Sequence, residues 1–256
     1  MSDRPLILLS NDDGVHAEGL RALAAALSTI GDLHVVAPEH EQSASSHRIT
    51  LAWPLRHREL GNDFHAVDGT PADCVYIALN REGLLPRRPD VVVSGINHGF
   101  NLGMDVIYSG TVAAAREAAL RGLRAIAFSA DPKADFQAVA EHAITLVRRM
   151  LALPPSALLM NVNYPRATPL GVLATRLGRR DYHDVVEART DPRGRDYYWI
   201  GGPALEHDAS EGADTAAIER GYVSVTPLAL GMTNEAQIGL AAHLSGQGSQ
   251  ATLPGK

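Results

Sequence analysis

Short apolar runs alternate with longer stretches in which apolar positions recur every three or four residues, and this alternation fills the first two thirds of the chain. Leu6 to Ser10, Leu33 to Ala37, Val91 to Ser94, Ala125 to Ser129 and Leu158 to Val162 have the length and branched or leucine-rich character of strands. Between the first two, Leu20, Leu23, Ala24, Leu27 and Ile30 repeat at helical spacing, and Gly31 is placed to close that helix as a C-cap. A second helix is predicted at Thr70-Pro71-Ala72-Asp73, where a threonine N-cap, a proline at the first helical position and an acid two residues on agree. A third runs from Ser109-Gly110-Thr111 to Gly122, and a fourth from about Phe136 to Leu151, stopped by Pro154-Pro155. Strands and helices in this alternation build a parallel sheet through crossover units, so the fold class is α/β.

After Pro165 the alternation weakens and Gly, Pro, Arg and Asp become frequent. The aromatic run Tyr197-Tyr198-Trp199-Ile200 precedes Gly201-Gly202-Pro203, and a strand-like Tyr222 to Pro227 comes late. The expectation is one α/β domain over 1–256, with a core over about 1–178 and a hairpin-rich extension over about 179–230 suited to an oligomer contact. A last helix is predicted near Asn234 to Leu244.

With 256 residues, 45% of them hydrophobic and 20% charged, the chain can bury a sizeable core, which excludes disorder, collagen and coiled coil as global readings. The formal charge is −6 and the basic clusters are as short as Arg87-Arg88 and Arg179-Arg180, so a duplex nucleic acid is a poor partner. The N-terminal apolar run is too short for a signal peptide, and no stretch approaches the roughly 18 apolar residues that span a bilayer. A soluble, cytoplasmic protein with no membrane partner is expected. Cys74 is the sole cysteine and sits among apolar neighbours, the setting of a structural thiol.

In an open parallel sheet, ligands bind beyond the carboxyl ends of the strands. Those positions read Ser10-Asn11-Asp12-Asp13-Gly14, Pro38-Glu39-His40-Glu41-Gln42-Ser43 and Ser94-Gly95-Ile96-Asn97-His98-Gly99. Two carboxylates about 4 Å apart repel by roughly 4 kcal/mol at an effective dielectric of 20, so a shared site needs a cation or a raised pKa. Asp12 and Asp13 can face one ion only if the chain turns there, which Gly14 permits; otherwise they are a solvated turn before a helix. Carboxylate, Ser43 hydroxyl and Asn97 amide are hard oxygen donors, which favour magnesium or manganese over zinc. His16, His40, His47 and His98 lie on different loops at no ligand spacing; His47 and His98 are the candidate proton donors. Ser109-Gly110-Thr111, opening a helix, supplies backbone N–H groups and two hydroxyls for an anion, or an ordinary serine cap. There is no P-loop, no dinucleotide fingerprint after the first strand and no nucleophile elbow.

Taken together, these segments resemble the SurE (stationary-phase survival protein) family of metal-dependent nucleotidases. The resemblance rests on Ser-Asn11-Asp12-Asp13-Gly14, Val-Val-Ala-Pro38 with Gln42-Ser43-Ala, Gly69-Thr-Pro-Ala-Asp73, Ser94-Gly-Ile-Asn97-His-Gly-Phe-Asn101 and Tyr108-Ser109-Gly110-Thr111. It continues through Asn161-Val-Asn-Tyr-Pro165, Tyr198-Trp-Ile-Gly-Gly202 and Gly221-Tyr-Val-Ser-Val-Thr-Pro227. It implies a Rossmann-like three-layer fold and a phosphomonoesterase acting on nucleoside 5′-monophosphates, with activity on 3′-nucleotides and short polyphosphate left open. It also implies a homodimer or homotetramer built through the extension, and one divalent ion per subunit. By motif position the ion falls on Asp12, Asp13, Ser43 and Asn97, with Asp12, Asp13 and Asn97 in the catalytic role; the resemblance alone selects Ser43 over Ser45 or Ser46. The phosphate falls on Asn101, Ser109, Gly110 and Thr111. Gly212-Ala213-Asp214-Thr215 departs from the family's usual pattern and bears on the extension.

Two rival readings use the same rim: a metal-dependent nucleotide-sugar transferase, whose acids would be spaced as Asp-x-Asp, and a nucleotide sensor without turnover.

Overall fold

The computed structural model describes residues 4–182, 185–202 and 204–245. The chain begins with β1 (Leu6–Ser10), α1 (Glu18–Leu27), β2 (Asp32–Pro38), β3 (His57–Gly61), β4 (Phe64–Val67), α2 (Pro71–Asn80) and β5 (Val91–His98). It continues with α3 (Gly110–Leu120), β6 (Arg124–Ala130), α4 (Phe136–Leu151), β7 (Leu158–Tyr164) and β8 (Val172–Ala174). The remainder is β9 (Arg180–Tyr182), β10 (Val185–Thr190), β11 (Asp196–Gly201), β12 (Ala204–His207), α5 (Asp214–Glu219), β13 (Val223–Pro227) and α6 (Ile238–Leu244).

The main sheet has the order β3-β4-β2-β1-β5-β6-β7-β13-β8. From β4 to β7 every neighbouring pair is parallel, while β3 and β13 run antiparallel to β4 and β7. From β1 the chain winds first toward β2 and β4, then returns to the other side at β5, so the crossovers diverge between β1 and β5 and leave a crevice at their carboxyl ends. Helices cover both faces. Ile7, Leu9, Val35 and Val93 pack against Leu20, Leu23 and Leu27 of α1 and Val139, Ala143 and Val147 of α4. Leu8, Val36 and Val92 point the other way, onto Cys74 and Val75 of α2 and Val112, Ala115 and Ala119 of α3. This two-sided burial is why β1 is an unbroken apolar run, and the result is the expected three-layer α/β fold.

The α2 start is as predicted: Thr70 caps Asp73 N–H at 3.1 Å while the Asp73 carboxylate accepts Thr70 N–H at 2.9 Å, with Pro71 at the first helical position. Cys74 is fully buried, and burial pushes its thiol well above the usual range, as a structural thiol requires. Gly31 has a different role from the one expected. The first helix ends at Leu27, and Gly31 is needed because an added Cβ would sit 2.5 Å from the Pro5 carbonyl oxygen and 2.8 Å from Ile7 Cδ1.

The tail also differs from the expectation. β10–β11 is an exposed hairpin and β12 pairs with β9, but the strand predicted within the extension, β13, returns to the main sheet between β7 and β8. Buried on both faces by that sheet, Val223, Ser224 and Thr226 lose the period-two pattern of a half-exposed hairpin strand. Sequence patterning also passed over β3–β4, an edge hairpin whose Asn62 and Asp63 adopt left-handed φ of 52° and 60°. Among the described residues no helix is long and apolar enough to cross a membrane.

Candidate active site

The crevice between β1 and β5 opens into a cleft of about 830 Å³. Its floor begins where β1 ends. Gly14, at φ 99°, turns the chain, Asn11 Nδ2 donates to the Gly14 carbonyl at 2.9 Å, and Val15 N–H reaches the Pro38 carbonyl at 2.8 Å. That turn lets two adjacent carboxylates enter one cleft, and each is held by a different element. Asp12, buried, accepts the Thr111 backbone N–H at 3.0 Å on one oxygen and the Thr111 hydroxyl on the other. Asp13 accepts His98 N–H at 3.1 Å from the end of β5. The approach of α3 to Asp12 depends on Gly110, where an added Cβ would stand 2.8 Å from Asp12 Cβ and 2.8 Å from Ser45 Oγ.

Burial pushes the Asp12 carboxyl up to about 6, with the neighbouring Asp13 charge adding to it and the Thr111 bonds opposing it. Asp13 is raised as well, by burial first and by Glu41, against the pull of His98. Five carboxylates, Asp12, Asp13, Glu18, Glu41 and Asp105, line the cleft, and the described lining contains no lysine or arginine.

Asn97 stands where β5 loses regular pairing with β6, just after Gly95, whose φ of 124° and contact with the Phe128 carbonyl oxygen exclude a side chain. Its Nδ2 donates to the Gly99 carbonyl at 2.8 Å, so its amide oxygen is the donor left for a cation. The loop after β2 is drawn in by Gln42 N–H on the Asp12 carbonyl at 2.8 Å. On that loop Ser43 is exposed on the rim and donates to Glu41 at 2.7 Å. Among the described residues no three His, Cys, Asp or Glu side chains gather as a metal cluster. The Asp12 and Asp13 carboxylates, the Asn97 amide oxygen and the Ser43 hydroxyl are all hard oxygens, a set that would fit a magnesium-like ion.

The structure brings Asn101 and Ser109 to the same rim, but holds each firmly. Asn101 donates its backbone N–H to Asn163 and its side chain to Ser129, and its carbonyl accepts Asn161 and Asn163 Nδ2 at 2.7 and 3.0 Å. Ser109 caps α3 by accepting Val112 N–H at 3.0 Å. Gly110 and Thr111 lie behind it against Asp12, with Thr111 fully buried. Of the two histidine candidates, His98 lies on the cleft wall with its ring 5.9 Å from Phe136, whereas His47 is tied at 2.7 Å to the buried Glu117 of α3.

Several residues stand at the site beyond those predicted for it. Ser45 Oγ is buried beside Gly110 without a hydrogen-bond partner. Ser129, Asn161 and Asn163 form the bed beneath Asn101; two asparagines one residue apart in a buried strand were the signal that could have marked it. Ile200, Gly201 and Gly202 at the end of β11 reach the cleft, so the extension lines the site of its own chain.

A doubly wound sheet with paired acids at its switch point and a helix N-terminus beside them defines a class: α/β proteins whose ligand site lies at the carboxyl edge of the sheet. The sequence model described as Survival protein SurE matches residues 7–184, and the chain belongs to that family. It is 49% identical over 254 residues to a protein named 5'-nucleotidase SurE from Aeromonas hydrophila, covering 94% of this chain and 99% of that one. The protein of the same name from Anaeromyxobacter dehalogenans strain 2CP-C is 55% identical over 236 residues, covering 90% and 91% of the two chains. The crystal structure of SurE protein from Aquifex aeolicus superposes with a TM-score of 0.82 at 41% identity, covering 94% of this chain and all of that one.

Proposed function

We propose that the protein is a divalent-metal-dependent phosphomonoesterase that hydrolyses nucleoside 5′-monophosphates to nucleoside and phosphate. Asp12, Asp13, Ser43 and Asn97 hold one magnesium or manganese ion, and Asn101 with Ser109 faces the phosphate; Gly110 and Thr111, expected there too, instead stand behind Ser109 and hold Asp12. The relatives' name supports the reaction, and one observation of this chain carries it: the adjacent Asp12 and Asp13 share a cleft with Glu18 and Glu41 whose described lining contains no lysine or arginine, so a phosphate dianion is accepted there only with a cation between them. When bound, the ion supplies Lewis-acid polarisation of a phosphoryl oxygen.

The chain's own residues do the rest. Thr111 fixes both Asp12 oxygens, so the carboxylate meets the ion without reorganising. The Ser109 cap directs the N-terminus of α3, with its partial positive charge, toward the transferring group. Asn101, clamped by Ser129, Asn161 and Asn163, offers a fixed polar edge. Phe100, Tyr108, Phe136 and Ile200 form the apolar part of the cleft lining and accept the nucleoside. Hydrolysis adds water to phosphorus as the ester oxygen departs and takes up a proton.

The enzyme works in the cytoplasm as a homodimer or homotetramer. The exposed Val186, Tyr198, Trp199 and Ile200 of the β10–β11 hairpin support an assembly contact there. A phosphate-release panel over 5′- and 3′-nucleotides and short polyphosphate, run with magnesium, manganese or chelator, tests reaction, ion and specificity together. Release from AMP that chelator abolishes is the expected result; tight metal-dependent AMP binding with no release would replace the enzyme by a sensor. Light scattering on the purified protein tests the assembly.

A further inference from the structure

We propose that Asp214 is a positioning residue for the phosphate-binding face, acting from the C-terminal segment through the turn at Gly103; this rests on the phosphate reading of Asn101 and Ser109 given above. Asp214 is fully buried, and one carboxylate oxygen accepts Gly103 N–H at 2.9 Å across 111 residues of sequence. The other accepts Gly178 N–H and Thr215 N–H, both at 2.8 Å. Three N–H donors on one buried carboxylate make a compact joint between three separate pieces of chain.

The packing at the joint leaves no room for slack. Gly103 has φ 54°, and an added Cβ would stand 2.5 Å from the Gly178 carbonyl oxygen; at Gly178 the added Cβ would stand 2.5 Å from Thr215 Oγ1. Thr215 Oγ1 in turn donates to the Asp208 carbonyl at 2.6 Å. A second tie lies one step along, where Arg180 pairs with Asp105.

Gly103 opens a 3₁₀ turn, Gly103–Ile107, that follows Asn101 closely and leads directly into the Ser109 cap. Within it the Asp105 carbonyl accepts Tyr108 N–H at 3.0 Å and Ser109 N–H at 3.1 Å. Asn101 is fixed from the other side by the sheet residues Ser129, Asn161 and Asn163. The loop that carries both phosphate-facing residues is therefore pinned at its start by the sheet and at its middle by Asp214 and Arg180. Displacing Gly103 moves the Asp105 carbonyl and, through it, Ser109. Among the described residues Asp12, Asp13, Ser43 and Asn97 make no hydrogen bond to Gly103, Gly178, Asp214 or Thr215; the loop of Ser43 meets only the far end of the turn, where Ser46 donates to the Ile107 and Tyr108 carbonyls. Asp214 also lies outside residues 7–184, so the support of the site extends beyond the family match.

Asp214→Asn is the discriminating variant. With its oxygen toward Gly178 and Thr215, the amide keeps the C-terminal segment in place and presents N–H to the Gly103 N–H. The inhibition constant of inorganic phosphate and the KM for AMP are expected to rise together by roughly tenfold, the loss of one hydrogen bond to a charged group. The manganese concentration for half-maximal activity is expected to stay at the wild-type value. Unchanged phosphate inhibition in a folded Asp214→Asn protein overturns the proposal, as does a parallel rise in the manganese requirement, which marks general collapse of the site. If Asp214→Asn does not fold, Arg180→Met releases the second tie and is read the same way, with the same two results for and against. Amide exchange from Gly103 to Ser109 is followed in the same samples. Faster exchange in the variant, when even the wild type shows neither hydrolysis nor phosphate inhibition, supports the joint and removes instead the phosphate reading on which its purpose rests.

Discussion

Thr111 donates both its backbone N–H and its hydroxyl to the carboxylate of Asp12, 99 residues earlier in the chain. This pair joins the end of β1 to the start of α3 and turns an acidic loop and a helix cap into one site. In the proposed function it also binds an acid that would hold the metal to the element that would face the phosphate. Thr111→Val keeps the backbone donor and the shape but loses the hydroxyl. Removing a hydrogen bond to a charged group costs about 1.5–3 kcal/mol, so the denaturant midpoint is expected to fall accordingly and more metal to be needed for half-maximal activity. Denaturation and metal titration of one preparation check both; wild-type behaviour in each would show the hydroxyl to be idle.

Gly110→Ala separates helix stability from site geometry. Alanine is the better helix former by about 1 kcal/mol, yet its Cβ would meet Asp12 Cβ and Ser45 Oγ, each at 2.8 Å. Helical circular dichroism is expected to be retained while kcat/KM drops about 100-fold, as Asp12 is pushed out of register. Full activity in this variant would mean that the close approach has no bearing on turnover.

Asp12→Asn is expected to abolish most turnover and to leave folding intact, because the amide preserves volume and one acceptor for Thr111. Phosphate release measured across a manganese titration provides the check. Activity at the wild-type metal concentration would contradict the site assignment.

His57 and His65 face each other across β3–β4, with Nε2 and Nδ1 2.9 Å apart and stacked rings. Burial lowers both pKa values below the ordinary histidine value, helped at His57 by Arg81 and at His65 by His57 and His34, against Glu59 and Asp63. The unfolded chain therefore binds more protons in the window just below about pH 6.5, and stability rises with pH across it. The neutral pair contributes fully above that window, and its contribution is lost as pH falls through the folded values. Replacing His65 with Phe is expected to flatten the slope of unfolding free energy just below about pH 6.5. An unaltered slope would assign the acid sensitivity elsewhere.

Gly31→Ala tests the revised role of that glycine. Its Cβ would press on the Pro5 carbonyl at 2.5 Å, at the opposite end of the sheet from the cleft. Overpacking of this kind costs about 1–3 kcal/mol, so stability is expected to fall while KM stays unchanged. A stabilised protein would return Gly31 to the role of a simple helix stop.

Apart from the β3–β4 hairpin, the order of strands and helices through Tyr164 is written locally, because two-sided burial demands unbroken apolar runs and helix starts demand particular caps. Leu6 to Ser10 and Thr70-Pro71-Ala72-Asp73 are legible for those reasons, and Asp12, Asp13 and Asn97 stand out because polar residues end apolar strands. β3 was illegible, since an exposed edge strand can carry His57, Arg58 and Glu59 without cost and so shows no apolar pattern. What only the tertiary structure decided were the pairings between distant segments: Thr111 with Asp12, Asn163 with Asn101, Asp214 with Gly103, and β13 beside β7. Burial imposes a periodicity that neighbouring residues must share, whereas a hydrogen bond across a hundred residues leaves no repeat in either partner's surroundings and exists only once the chain has closed on itself.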